Sequence, residues 1–186
     1  RVMLQGPYDA NTGLMSDAVR AAGLLPLSEP YTAMGYAHIG GGGEAVLPTT
    51  FNSTGNNAIV DWVVVELRSA SDATTVIETR SGLLQRDGDV VAVNGTSLLS
   101  FLAAPGNYYM AVSHRNPLAV MSRSPITLGA ALTSVDFSNG SALTYGTDAQ
   151  HLLSGTYLMW SGNTDFNGVL KYVGAGNDRD PILVAI

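Results

Sequence analysis

The segment Val60-Asp61-Trp62-Val63-Val64-Val65-Glu66-Leu67-Arg68 constrains the fold more than any other stretch of this chain. It opens doubly apolar and then alternates, with Val63, Val65 and Leu67 on one side and Glu66 and Arg68 on the other. Such a pattern predicts a central strand whose far end emerges into solvent. The same alternation puts Trp62 with Val60 and Val64, a core position rather than an exposed platform. Turn signals punctuate the flanking sequence. Asp87-Gly88, Asn94-Gly95 and Asn139-Gly140 each favour a tight turn. Further strands are predicted over residues 74–80, 90–93, 108–115, 132–137, 157–160, 170–172 and 182–186. Helical signals are confined to residues 17–22, with Ser16 as cap and Gly23 as stop. The Gly40–Gly43 run predicts a loop whose backbone turns sharply or approaches something closely, and no Lys-Ser/Thr follows it to make a phosphate loop. Many short strands at turn spacing predict an all-β fold, an antiparallel β-sandwich, with a jelly roll as the alternative.

Composition narrows the functional classes. A chain of 186 residues fits one domain with at most a small appendage. The boundary expected lies near residues 148–153, separating a sandwich (1–150) from a C-terminal segment packed on it (151–186). Hydrophobic residues make up 46 % and charged residues only 13 %, about half the usual share. The surface is therefore built from Ser, Thr, Asn, Gly and Ala, which costs little to desolvate. A net charge of −6 with scattered Lys and Arg argues against nucleic acid. No cysteine is present, so neither disulfides nor thiol chemistry are used. No apolar run is long enough to span a bilayer as a helix. A first residue of Arg1 rather than Met suggests a processed or trimmed chain.

The C-terminal stretch from Trp160 to Tyr172 carries the most specific chemistry. Asn163, Asp165 and Asn167 stand at positions 1, 3 and 5 of an EF-hand-like loop, Gly168 at position 6, and the Val169 carbonyl at position 7. Calcium needs six to eight oxygen ligands, and alternate Asx side chains on a tight turn supply several. Gly174 occupies the place of the bidentate glutamate at position 12. The remaining carboxylates are therefore expected from Asp178 and Asp180. A polar turn without an ion is the competing interpretation, since Asn, Asp and Gly are ordinary turn formers.

Several blocks are similar to one known kind of module. They include Leu4-Gln5-Gly6-Pro7-Tyr8-Asp9, the strand around Asp61-Trp62, Leu83-Leu84-Gln85-Arg86-Asp87-Gly88-Asp89, Tyr108–Asn116 and Gly174-Ala175-Gly176-Asn177-Asp178-Arg179-Asp180-Pro181-Ile182-Leu183. Together they resemble modules near the C-terminal ends of large secreted and cell-surface proteins of Bacteroidota, many exported by the type IX route. The resemblance implies an extracellular, non-catalytic, all-β module with a dockerin-like calcium loop. Where that pattern has Asp, Asn and Asp, this chain has Asn163, Asp165 and Asn167, a lower charge that weakens calcium binding.

No catalytic constellation is legible. His38, His114 and His151 form no zinc-binding motif, and no Gly-x-Ser-x-Gly elbow occurs. Asp61 and Glu66 lie five positions apart on one strand and so point to opposite faces, unlike a glycosidase pair. The protein is thus expected not to be an enzyme. Trp62, Tyr108, Tyr109, Trp160 and Tyr172 are candidates for a glycan platform, although aromatic content is only 8 %. The weakly charged surface and the apolar stretch Pro181-Ile182-Leu183-Val184-Ala185-Ile186 instead favour self-assembly by strand addition. The expectation is an extracellular structural protein of a bacterial cell surface, forming a filament or surface layer with itself. A carbohydrate-binding adhesion module is the alternative.

Overall fold

In a computed structural model, which describes residues 1–185 without the side chains of residues 182, 184 and 185, the long apolar strand lies at the centre. The elements in chain order are β1 (Tyr8–Asp9), β2 (Leu14–Met15), α1 (Ala18–Ala21), β3 (Ile59–Ser69), β4 (Asp72–Gln85), β5 (Val90–Val91), β6 (Gly106–Ser113), β7 (Val120–Met121), β8 (Ile126–Leu128), β9 (His151–Leu153), β10 (Thr156–Leu158) and α2 (Arg179–Ala185). Six strands form one sheet in the order β5-β4-β3-β6-β7, with β8 also on β6. The other two sheets are ribbons, β1-β2 and β9-β10, and every pairing of named strands is antiparallel. The protein is all-β and antiparallel, as its turn spacing predicts.

Alternation along β3 sorts the core into two layers. Val63 and Val65 join Leu84, Val112 and Val120 on one face, beneath Val2, Met3, Leu4, Met15, Phe137, Leu158 and Met159. Trp62 and Val64 join Ile59, Leu83 and Val91 on the other, beneath Leu25, Tyr31 and Val46. Each such side chain contributes about 1.5–3 kcal/mol by leaving water. A β-bulge between Ile59 and Asp61 breaks the period. It moves Val60 into the layer of Val63 rather than that of Trp62, against the simple alternation. Leu158 and Met159, which follow residue 150, are fully buried in the first layer.

Among the described residues, neither face is covered by a second large sheet. The first lies under the two ribbons and under irregular segments joined by isolated bridges, such as Leu4 to Met159 and Pro117 to Ser161. The second lies under the loops of residues 25–46, which also cover the outer edge of β4. Thr79 N–H donates to Ile39 O at 2.8 Å, and Ser81 N–H to Glu44 Oε1 at 3.3 Å. The Gly40–Gly43 run approaches closely, as expected. A Cβ on Gly41 would meet the Thr79 carbonyl, and one on Gly42 would lie 2.8 Å from the His38 ring.

Four strand expectations need correction. Residues 74–80 form only part of β4, which runs on to Gln85 because β3 offers a partner along nearly its whole length. Residues 132–136 run without turn or bend but join no ladder among the described residues; Phe137 N–H donates to Arg1 O at 3.0 Å, and Asp136 O accepts the Ala142 N–H at 3.1 Å. Residues 170–172 fold back instead, with Lys171 N–H on Asp178 Oδ2 at 2.7 Å and Lys171 O accepting Asp178 N–H at 2.8 Å. The strand expected over 182–186 is helix α2 as far as Ala185, and Ile186 lies outside the described residues. In α2 the backbone groups of this stretch are satisfied locally. Asp180 in the first turn complements the helix dipole.

Candidate functional site

Three polar or concave features stand out, and the C-terminal loop is the first. Asn163 is buried, and its Oδ1 accepts the Gly168 N–H at 3.3 Å. Asp165 Oδ1 accepts the Asn167 N–H at 3.2 Å, and Asn167 Oδ1 accepts the Val169 N–H at 2.8 Å. The sequence-predicted residues Asn163, Asp165, Asn167 and Val169 are thus drawn into one tight turn. Phe166 sits in it at φ +59°, a left-handed conformation that costs a non-glycine residue energy. Burial offsets that cost, because its ring packs against Tyr31 and Tyr36 with centroids 5.9 and 6.3 Å away.

Asp178 and Asp180 do different work. Asp178 accepts the Thr164 N–H at 2.8 Å and the Lys171 N–H at 2.7 Å, bracing both ends of the loop. These backbone hydrogen bonds, that from Lys171 foremost, hold its carboxyl below the usual carboxylate range. Asp180 accepts from Asn177 Nδ2 at 2.8 Å and from Arg179 at 3.0 Å. Among the described residues no group of three or more His, Cys, Asp and Glu is placed to hold a metal. The side-chain oxygens of Asn163, Asp165 and Asn167 accept the N–H groups of this turn, and Asn167 Nδ2 donates to Asp165 Oδ2 at 2.7 Å.

Buried charge clusters are the second feature. Asp61 Oδ1 accepts the Trp62 N–H at 2.8 Å, while Oδ2 faces Arg115 Nη2 at 2.7 Å and His114 Nε2 at 3.2 Å. Glu66 pairs with Arg68 at 2.5 Å and accepts from Tyr36 Oη. Burial and that carboxylate push the Tyr36 hydroxyl well up. The two acids are engaged by different partners, so they present no shared reacting position. Glu29 is a further buried acid that sequence reasoning missed. Burial would raise its carboxyl, but hydrogen bonds from Thr32, Gly43 and Tyr31 outweigh this and lower it. Its place beside Pro30 and Tyr31 in an irregular stretch gave no periodic signal.

The third feature, also missed, is a groove of about 610 Å³ on the first face of the sheet. Val65, Met110, Val112, Leu98, Leu99 and residues 132–137 line it. Arg1, Asp89 and Asp136 also line it, with Arg1 and Asp89 paired at 2.8 Å. Only assembly of β3, β6 and two distant loops creates it, so no local motif announces it. Leu98 and Leu132 stand 61 % and 73 % exposed.

The aromatic candidates are scattered. Trp62 is fully buried, with Nε1–H on Pro26 O at 2.9 Å. Trp160 donates to Asp148 O and packs on His151, and Tyr108 donates to Ala104 O. Tyr172 is exposed, with Arg179 over its ring. Fold and site together define an all-β antiparallel protein with a groove of mixed polar and apolar lining and a polar C-terminal loop. No protein-family model matches the chain, and neither curated proteins nor solved structures provide a match.

Proposed function

We propose that this chain is a non-enzymatic structural protein of a bacterial cell surface that assembles with itself into a filament or layer. One observation carries the reading: large leucines stand exposed on a surface with little charge. Besides Leu98 and Leu132, Leu24, Leu47 and Leu102 are 71 %, 72 % and 87 % exposed. Interface cores are depleted in charge, and exposed leucines offer apolar area to them. The resemblance to secreted modules of Bacteroidota supports the extracellular location. The separate engagement of Asp61 and Glu66 supports a role without catalysis.

Calcium is an accessory in this reading. Asn163, Asp165, Asn167 and the Val169 carbonyl would hold it, and its charge would tie the turn together. With two amides among three side-chain ligands, the affinity belongs near the weak end for extracellular modules, about 10⁻⁴–10⁻³ M. Electron microscopy and light scattering of the purified protein test the main reading. Ordered polymers or concentration-dependent growth are expected. A protein that stays monomeric at high concentration, with and without calcium, would overturn it and favour the carbohydrate-binding alternative, for which exposed Tyr172 is the available platform.

A further inference from the structure

Asn-Gly marks a turn, and it is also the dipeptide most prone to lose its side-chain amide. Glycine has no Cβ to shield its backbone nitrogen, which attacks the side chain before it. The sequence has three such pairs, Asn94-Gly95, Asn139-Gly140 and Asn167-Gly168, and all three asparagines are exposed. Their side chains are held alike. In each, Oδ1 accepts the N–H two residues on, from Thr96, Ser141 and Val169, at 3.1, 2.8 and 2.8 Å. The attacking nitrogens differ. Gly95 N–H donates to Ala92 O at 2.8 Å, and Gly168 N–H to Asn163 Oδ1 at 3.3 Å. Among the described residues, Gly140 N–H has no acceptor.

We propose that Asn139 is a site of self-modification, converted to aspartate and isoaspartate ahead of Asn94 and Asn167. The Gly140 nitrogen gives up its proton to hydroxide and bonds to Asn139 Cγ. The Ser141 N–H, already on Oδ1, stabilises the negative charge that develops there. Nδ2 takes up a proton and leaves as ammonia, and a cyclic imide remains. Water then adds to one imide carbonyl, and the C–N bond on that side breaks. One water is consumed and one ammonia released, with no oxidant or reductant. Neither product fits the turn that forms it. Asn139 Nδ2 donates to Asp136 Oδ2 at 3.0 Å, so an aspartate in its place sets two carboxylates face to face. Isoaspartate lengthens the main chain by one carbon just before Gly140. That glycine is packed so closely that even a Cβ on it would lie 3.0 Å from the Tyr157 ring. The same turn holds the β9-β10 ribbon, because Ser138 O accepts the Tyr157 N–H at 2.8 Å. Leu158, the next residue, is fully buried in the first layer. Conversion therefore loosens the ribbon from the sheet and marks the age of the folded chain.

The test is to age the full chain, folded in buffer and unfolded in urea, at neutral and at alkaline pH. Digestion at acid pH and mass spectrometry then report the amide-to-acid change at each asparagine, and an isoaspartate methyltransferase labels the isoaspartate fraction. In urea the three sites should convert at similar rates, since each precedes glycine. In the folded chain Asn139 should convert about two- to tenfold faster than Asn94 or Asn167, the factor imposed by first opening one backbone hydrogen bond. Its rate should rise with pH. The converted fraction, separated by its added negative charge, should melt below fresh protein, and Asn139→Gln should suppress that loss on ageing. Conversion at Asn94 or Asn167 as fast as at Asn139 in the folded chain would overturn the inference. A fraction converted at Asn139 that melts like fresh protein would overturn the link to the ribbon.

Discussion

Asp61 shows how one residue fixes the centre of the sheet. It is 6 % exposed, and a carboxylate so buried persists only with partners, here the Trp62 N–H and Arg115. Removing one partner leaves the other charge uncompensated. We expect Asp61→Ala to lower unfolding free energy by about 3 kcal/mol in urea denaturation. Arg115→Ala should cost less, because its side chain is 23 % exposed and can rehydrate. The double substitution should fall short of the sum, since both changes break the same contact. An additive cycle would show that the pair contributes nothing of its own. Trp62→Ala should cost about 3–5 kcal/mol by cavity formation alone. It also strands the Pro26 carbonyl, which now accepts the indole N–H.

At the scale of elements, the C-terminal loop is the part most separable from the sheet. Its ties to the rest are the Asn163 N–H on Asn116 O at 2.7 Å and the Phe166 ring, while Asp178 bonds within the segment. Asp178 is held below its ordinary value, so its contribution is present above the unfolded value of about 3.9 and is lost as pH falls through the folded value. Amide exchange over residues 161–180, compared after correction for intrinsic rates, should accelerate below that range, with β3 and β6 unaffected. Loosening of both together would show a single cooperative unit. Calcium should raise the melting temperature relative to EDTA, with about 2.7 kcal/mol gained at a hundredfold excess over Kd. Asp165→Ala should abolish that gain. Identical curves for wild type in both conditions would remove calcium from the account.

For the whole molecule, assembly driven by apolar contact should resist salt. With charged residues at 13 %, raising NaCl from about 50 to 500 mM should leave polymer yield unchanged, because screening acts on charges alone. Dissolution on adding salt would point to ionic contacts instead. How much was legible beforehand follows from the range of each interaction. Residues 59–69 declared themselves as a central strand because one face alternating with another is a local pattern, and Asn94-Gly95 declared its turn because a left-handed glycine is a local need. Asn163, Asp165, Asn167 and Gly168 likewise showed their turn through spacing. Residues 132–137 and 181–185 share a strand-like composition, yet neither joins a ladder, because a strand exists only where another edge is presented to it. Whether Asp178 braces the loop or faces a cation is equally undecided by spacing, since its partners Thr164 and Lys171 are set by how the segment folds back. The sequence by itself therefore determined the class of fold, its central strand and its turns, all of which depend on neighbours a few residues apart. Only the tertiary structure decided the bulge at Val60, the partners of Asp61 and the groove above Val65 and Val112. Each of these depends on which distant segments compete for one sheet face or edge, and no local pattern records that competition.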